Sequence, residues 1–220
     1  MITHTHYLNV IVILATSYPV VIPQILLPFS KQYDQKGINN RYIVGCALSC
    51  FFLLSMVYVI IPINPIINWT NNIVWFMIPL ILAPMMIAME YIINAVILKI
   101  SNVKITGISV NNNWKNMSIS AILATLFIAV FEELIFRSLW SEILIVNLGF
   151  SIFVYVILNS LFYGINHLYF GIITFIQKMI TGIVFSGLYI LSGGQIIVPI
   201  ITHVLQNIIV LLIGRGNKKC

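Results

Sequence analysis

The sequence predicts an all-α fold, a polytopic transmembrane helical bundle with about seven spans. Of its 220 residues, 60% are hydrophobic and only 7% are charged, a composition that is typical of helical membrane proteins and not of soluble domains. The apolar residues form runs of about 20, the length that an α-helix needs to cross a bilayer. Polar turns separate the runs, and from the length we expect one membrane domain without a separate soluble one.

Three apolar runs precede the longest polar segment of the chain. The first run, Tyr7–Phe29, lacks a preceding basic segment and a cleavage site, so we expect a retained span that its prolines kink or end early. The second and third runs are Tyr42–Ile61 and Ile73–Leu98. We therefore assign residues 1–98 to an N-terminal three-span region and residues 99–116 to a polar connecting loop.

Four more apolar runs follow this loop, and each of them carries a polar side chain that lipid disfavours. We expect spans at Met117–Trp140, continuing as a broken helix to Leu148, and at Phe150–His167, Ile172–Leu191 and Gln195–Ile213. Glycines mark the turns between these spans. We therefore expect residues 117–213 to form a second membrane region, the core that carries the polar side chains, and residues 214–220 to form a basic tail.

The basic residues of the loops indicate how the chain is oriented in the membrane. With seven spans they all fall on one side: Lys31, Lys36, Arg41, Lys99, Lys104, Lys115, Arg215, Lys218 and Lys219. The positive-inside rule makes that side cytoplasmic, so we expect the N-terminus outside and the C-terminus inside. The net charge of +6 is therefore an orientation signal, and we expect no nucleic-acid partner.

The residues least suited to lipid lie near the end of the fourth predicted span. Glu132, Glu133 and Arg137 fall within six residues, and an ionisable group in hydrocarbon costs from about 3 to more than 10 kcal/mol. Glu133 and Arg137 are four residues apart and can pair on one helix face. Glu132 points about 100° away, so it must find a partner on another helix, hold a proton or face a water-filled cavity.

Two histidines in later spans can complete a site with Glu132. A helical hairpin that turns at Gly149 brings His167 to the same depth as Glu132. His203 and Asn207 are also four residues apart and project from one face of the last span. Helix length alone does not bring His203 to the depth of the other two groups.

The chemistry that these groups favour is peptide hydrolysis by an activated water. A partly desolvated glutamate is a better base near neutral pH, so Glu132 and His167 would hold and deprotonate the water. His203 and the Asn207 amide would donate hydrogen bonds to the oxyanion. The cofactor stays open between none and a divalent metal such as zinc, because Glu132, His167 and His203 are a two-His, one-carboxylate set.

Each of these features also has a purely structural interpretation. A Glu–Arg pair can tie helices together, and a single histidine in a span is more often a packing group than a catalyst. We expect Glu90 of the third span to pair with a neighbouring helix or to lie near the interface, and Lys178 to snorkel to an interface. The joint occurrence of acidic, imidazole and amide groups in successive spans is what favours an enzyme.

At these residues the sequence resembles the CAAX prenyl protease type 2 and bacteriocin-processing family of intramembrane proteases, also called the CPBP or Abi family. The family's motifs are EExxxR, FxxxH and HxxxN/D, in that order on separate helices. Here they read Glu132-Glu133-Leu-Ile-Phe-Arg137, Tyr163-Gly-Ile-Asn-His167 and His203-Val-Leu-Gln-Asn207. Tyr163 replaces the usual Phe. The resemblance covers Met117–Ile213 and leaves the first three spans unassigned.

The resemblance implies an endopeptidase that cleaves a membrane-associated peptide or a lipid-modified protein in or near the membrane. It implies that the first motif supplies the water-activating base, that the middle histidine lies beside it, and that the last motif stabilises the oxyanion. The implied catalytic residues are Glu132, His167, His203 and Asn207. Glu133 and Arg137 become supporting residues. Compact members like this one look bacterial, which implies the bacterial cell membrane and the maturation of peptide pheromones or bacteriocins.

Two functions from other classes stay open. A bacteriocin self-immunity protein or a membrane scaffold would use the same residues for binding without cleavage. A transporter or proton-relay protein would use Glu132 and the two histidines, but transporters usually have two related halves, and the sequence shows no such repeat. Expected partners are therefore the substrate and membrane lipid, and the oligomeric state is not predicted.

Overall fold

The computed structural model describes residues 4–20, 33–34, 37–38, 40–60, 72–100 and 117–216. Within these ranges the chain forms seven α-helices, with the bounds α1 His4–Thr16, α2 Asn40–Ile60, α3 Val74–Ile100, α4 Ile119–Glu133, α5 Ile152–Ile165, α6 Ile172–Leu191 and α7 Ile197–Gly216. A short antiparallel hairpin, β1 Tyr33–Asp34 with β2 Gly37–Ile38, precedes α2. Most of the predicted connecting loop, residues 101–116, and the end of the basic tail, residues 217–220, lie outside the described residues.

The predicted all-helical membrane fold is confirmed. Five helical stretches are long and apolar enough to cross a membrane: Asn40–Ile60, Val74–Ile100, Ile119–Asn147, Ile172–Leu191 and Ile197–Gly214. Two further apolar helices, Thr5–Thr16 and Ile152–Ile165, are shorter. Large hydrophobic side chains such as Val59 and Ile119 are exposed on the outer surface, as they would be in contact with lipid.

The first predicted span is interrupted as its prolines suggest. Helix α1 ends at Thr16, three residues before Pro19. The remainder of that predicted span, from residue 21, lies outside the described part of the chain. The end of α1 is tied to the core, because Trp140 Nε1 donates a hydrogen bond to Thr16 Oγ1 at 3.0 Å and the Asn166 amide donates to the Ser17 carbonyl at 2.7 Å.

Helix α4 widens into two π-helical segments where its charged residues lie. It begins after Ser118, whose hydroxyl accepts a hydrogen bond from the Ala121 N–H. The helix then continues through the π-helical segments Leu134–Leu139 and Glu142–Asn147. The continuation to Leu148 was expected as a broken helix, and the break takes this π-helical form. Such turns are rare and often occur at functional sites.

Polar side chains of α5 satisfy the backbone of the first π-helical segment. Helix α5 follows the turn at Gly149, which has a positive φ of 70°, and runs back along the end of α4. The Asn159 amide donates to the Phe136 carbonyl, and the Tyr155 hydroxyl lies 3.5 Å from the carbonyls of Phe136 and Arg137. Backbone groups inside a bilayer need partners within the protein, so α5 supports the irregular turn beside the charged residues.

Helices α5 and α6 pack closely because a glycine lies at their contact. A Cβ at Gly182 would lie 2.8 Å from Ser160 Cα, which is closer than real atoms approach. Small residues at such contacts let membrane helices approach each other. Helix α7 in turn packs against α3 and α4, which places α4, α5, α6 and α7 around the charged residues.

Replacing Gly182 with Ala should destabilise the protein by about 1–3 kcal/mol, because the new methyl group forces α5 and α6 apart. The matched control is Gly187→Ala on the same helix, where a Cβ would meet nothing within 4 Å. The control should be neutral or slightly stabilising. Thermal unfolding in detergent measures both changes, and equal midpoints for the two variants would contradict this packing.

Candidate active site

Glu133 is the fully buried centre of a chain of charged groups. Arg137 Nε lies 3.2 Å from Glu133 Oε2, and Arg137 Nη1 donates to Oε1 at 3.3 Å. The predicted pairing of these two residues is therefore confirmed. His203 Nδ1 lies 2.8 Å from the same Oε1, so one carboxylate at the end of α4 joins Arg137 of the first π-helical segment to α7.

Glu132 approaches the other side of the same imidazole ring. Its Oε2 lies 3.9 Å from His203 Nε2, and both side chains are nearly buried, with exposed fractions of 8% and 6%. This distance is longer than a hydrogen bond. The His203 ring thus lies between two carboxylates, with Nδ1 bonded to Glu133 and Nε2 directed toward Glu132.

The hydrogen bond to Glu133 fixes which ring nitrogen of His203 carries a proton. A carboxylate that is paired with Arg137 only accepts hydrogen bonds, so His203 Nδ1 must be the donor. In the neutral ring Nε2 is then an acceptor. When the ring carries both protons, Nε2 becomes a donor that faces Glu132.

The depth of His203, which helix length did not explain, follows from the packing of α7. This helix begins at Ile197 and packs against both α3 and α4. The packing brings the buried His203 next to Glu132 and Glu133. Among the described residues, ion-pair distances join Glu132 to His203 and none joins it to His167. The predicted equal depth of Glu132 and His167 stays a prediction, and the contact that the structure shows for Glu132 is with the other histidine.

His167 lies just past the end of α5, in the turn that leads to a short 3₁₀ helix, Leu168–Phe170. Its Nδ1 lies 2.9 Å from the Tyr163 carbonyl, and a carbonyl only accepts, so Nδ1 donates and Nε2 of the neutral ring is free to accept. The side chain is half-buried and interacts electrostatically with His203. The structure thus places His167 beside the cluster.

The ring of Tyr163 lies near both histidines. Its centroid lies 5.0 Å from that of His167 and 6.3 Å from that of His203. Arg137 Cζ lies 4.4 Å from the same centroid, a cation–π contact that holds the guanidinium in place. Sequence reasoning named Tyr163 only as a motif position and gave it no contact within the site.

Asn207 lies one turn beyond His203 on α7 and is half-buried. Within the described part of the chain no hydrogen bond joins its amide to the other site residues. Its part in stabilising an oxyanion stays a prediction.

The described side chains do not form a metal site. Among these residues, no three His, Cys, Asp or Glu side chains are grouped so that they could hold a metal ion. Glu132, His167 and His203 were the set proposed for zinc, and a zinc site needs its ligands converging at about 2.0–2.3 Å from one point. The donor set therefore does not fit a metal in this arrangement, and we derive no step through one.

A second ion pair lies beside the charged cluster. Lys178 Nζ on α6 lies 2.7 Å from Glu90 Oε1 on α3, and both side chains are 19% exposed. The expected pairing of Glu90 with a neighbouring helix is confirmed. The expectation that Lys178 snorkels to an interface stays a prediction, and the structure adds that its ammonium has Glu90 as a partner.

Comparison with known proteins adds one match. Residues 114–209 match the model of a family described as type II CAAX prenyl endopeptidase Rce1-like, and this segment contains all the motif residues of α4, α5 and α7. No curated protein and no solved structure matches the chain. The match and the five long apolar helices support an integral membrane peptidase of the CAAX-protease type. Over residues 114–209 the chain is therefore similar to the Rce1-like type II CAAX prenyl endopeptidases, and the resemblance indicated by its three motifs is confirmed.

Proposed function

We propose that the protein is an intramembrane endopeptidase that hydrolyses a peptide bond in a membrane-associated peptide or a lipid-modified protein. The observation that supports this most is the position of the His203 ring, 2.8 Å from Glu133 and 3.9 Å from Glu132. One carboxylate orients the imidazole, and the other is left without a close hydrogen bond to it. A buried acid in that position is suited to take a proton from water.

In the proposed reaction Glu132 Oε2 accepts a proton from a water molecule as the water oxygen attacks the substrate carbonyl. A C–O bond forms, and negative charge develops on the carbonyl oxygen. His203 Nε2, when the ring carries both protons, donates a hydrogen bond to that oxygen. The C–N bond then breaks, and Glu132 passes its proton to the leaving amine, so that one water is consumed and two peptide fragments are released.

The other motif residues have supporting roles in this proposal. Glu133 fixes the tautomer and orientation of His203, and Arg137 balances the charge of Glu133. His167 presents a neutral Nε2 that can accept a hydrogen bond from the attacking water. The Asn207 amide is a second donor for the oxyanion.

We further propose that the natural substrate is a precursor of a peptide pheromone or bacteriocin, in a bacterial cell membrane with the C-terminus of the enzyme in the cytoplasm. The alternative is a self-immunity protein or scaffold in which the same residues bind a peptide without cleaving it. A peptidase would release the bound peptide as two fragments, whereas an immunity protein or scaffold would release it uncleaved.

The test is cleavage by purified protein in lipid nanodiscs. The probe is a short peptide with a farnesylated cysteine near its C-terminus, and the same peptide without the lipid is the control. Because a lipid chain concentrates the peptide in the bilayer, we expect the farnesylated form to be cleaved at least about tenfold faster. Mass spectrometry identifies the fragments. Binding of both peptides without any fragment would favour the immunity or scaffold function.

A further inference from the structure

A single carboxylate oxygen on α3 collects hydrogen bonds from two helices of the site. Glu90 Oε1 accepts from Lys178 Nζ at 2.7 Å, from Gln206 Nε2 at 3.1 Å and from the Thr181 hydroxyl at 3.4 Å. The Glu90 backbone carbonyl also accepts from Gln177 Nε2 at 2.7 Å. Helix α3 lies outside the segment that matches the family, so this contact joins the unmatched part of the chain to α6 and α7.

Two of the residues that contact Glu90, Gln206 and Lys178, are close to the cluster of Glu132, Glu133, Arg137 and His203. Gln206 is buried and lies three residues after His203, on the same face of α7, so an anchored Gln206 fixes the rotation of that helix. Lys178 interacts electrostatically with both Glu132 and His167. Its ammonium stands on a flexible four-carbon stem and can move between nearby carboxylates.

Two of the three acidic residues in this part of the bundle form an ion pair with a basic residue. Arg137 pairs with Glu133 and Lys178 pairs with Glu90. Among the described residues no Lys or Arg lies at ion-pair distance from Glu132, whose Oε2 lies 3.9 Å from His203 Nε2. An ammonium released from Glu90 would be attracted to the negative charge of Glu132, and an ion pair there would occupy the oxygen that has to accept a proton.

We propose that Glu90 is a positioning residue of the active site, which holds the Lys178 ammonium away from Glu132 and, through Gln206, keeps His203 between the two carboxylates. This inference rests on the proposed peptidase function. It assigns a role in the reaction to the N-terminal region, for which neither the motifs nor the family match gives one.

The test compares Glu90→Gln with the double variant Glu90→Gln/Lys178→Met. The glutamine keeps one oxygen that can accept from Gln206, removes the charge and replaces the other oxygen by an NH₂ donor. We expect kcat for the farnesylated peptide to fall by about tenfold or more with KM changed by less than about twofold, because the loss concerns the base and not substrate binding. Removing the ammonium as well should restore kcat to within about threefold of the wild-type value.

The control is Glu142→Gln, the same chemical change at a half-buried carboxylate farther along the fourth span, which should leave kcat unchanged. Rates are normalised to folded protein, and if Glu90→Gln does not accumulate, the double variant alone decides. A wild-type kcat in Glu90→Gln, or a double variant as slow as the single one, overturns this inference. Absence of cleavage by the wild type overturns the proposed function instead, and with it this inference.

Discussion

Replacing Glu132 with Gln is expected to lower kcat for peptide cleavage by about 10²–10⁴-fold, the contribution of a general base. The amide has the shape of the carboxylate, but it cannot take a proton from water at neutral pH. The Glu133–His203 bond of 2.8 Å does not involve Glu132, so we expect the variant to keep its fold. Initial rates with saturating peptide in nanodiscs measure the effect.

Two comparisons make the Glu132 result specific. Glu142→Gln is the matched control and should cleave at the wild-type rate, and thermal unfolding should give similar midpoints for both variants. A Glu132→Gln protein that keeps more than about a tenth of the wild-type kcat would show that this carboxylate is not the base. If self-immunity were measured in cells and survived the substitution while cleavage did not, binding would be a separate function of the same site.

Replacing Arg137 with Met should cost about 3–5 kcal/mol of stability, because it leaves a buried carboxylate without its cation. Arg137 and Glu133 are both fully buried, so neither group can turn to solvent. The guanidinium also packs on the ring of Tyr163, 4.4 Å from its centroid. The double variant Glu133→Gln/Arg137→Met removes both charges, and we expect it to recover more than half of the lost stability.

The measurement is thermal unfolding in detergent, followed by size-exclusion chromatography of the remaining folded protein. Lys99→Met, at an exposed cation near the end of α3, controls for the loss of a positive charge and should change little. Equal midpoints for wild type and Arg137→Met would contradict a structural role for the buried pair. A double variant no more stable than the single one would contradict the charge explanation.

The parts of the site that sequence reasoning predicted correctly are those that depend on one helix. The spacing of Glu133 and Arg137 predicts a pair on any helical turn, and the apolar runs predict the helices themselves. The contact of Glu132 with His203 depends instead on where α7 begins and on its packing against α3 and α4. Those distances are set by three-dimensional packing, which periodicity does not report.

The π-helical turns were not predicted because their support comes from another helix. The Phe136 carbonyl accepts from the Asn159 amide, and this bond forms only after α5 has packed on α4. One signal in the sequence was available, however. Polar or aromatic residues recur every four positions at Tyr155, Asn159 and Tyr163 of α5 and at His167 just past its end, and this spacing places the three helical residues on one face.

The pair of Glu90 and Lys178 shows the same limit over a longer distance. Each residue alone resembles a group near an interface, and 88 positions separate them in the chain. Burial of both in one bundle makes the pair favourable, because an unpaired charge in that position would cost several kcal/mol. The pairing could therefore be suspected from charge balance but not located from the sequence.

The measurement that tests the proposed reaction most directly is cleavage of the farnesylated peptide in water enriched in ¹⁸O under single-turnover conditions. If Glu132 activates a water that attacks the peptide carbonyl, the new C-terminal carboxylate should carry one ¹⁸O atom in the first turnover. Mass spectrometry of the fragments detects this atom. A peptide that is bound but stays intact, or a fragment that forms without ¹⁸O in its new carboxylate, would contradict the proposed hydrolysis.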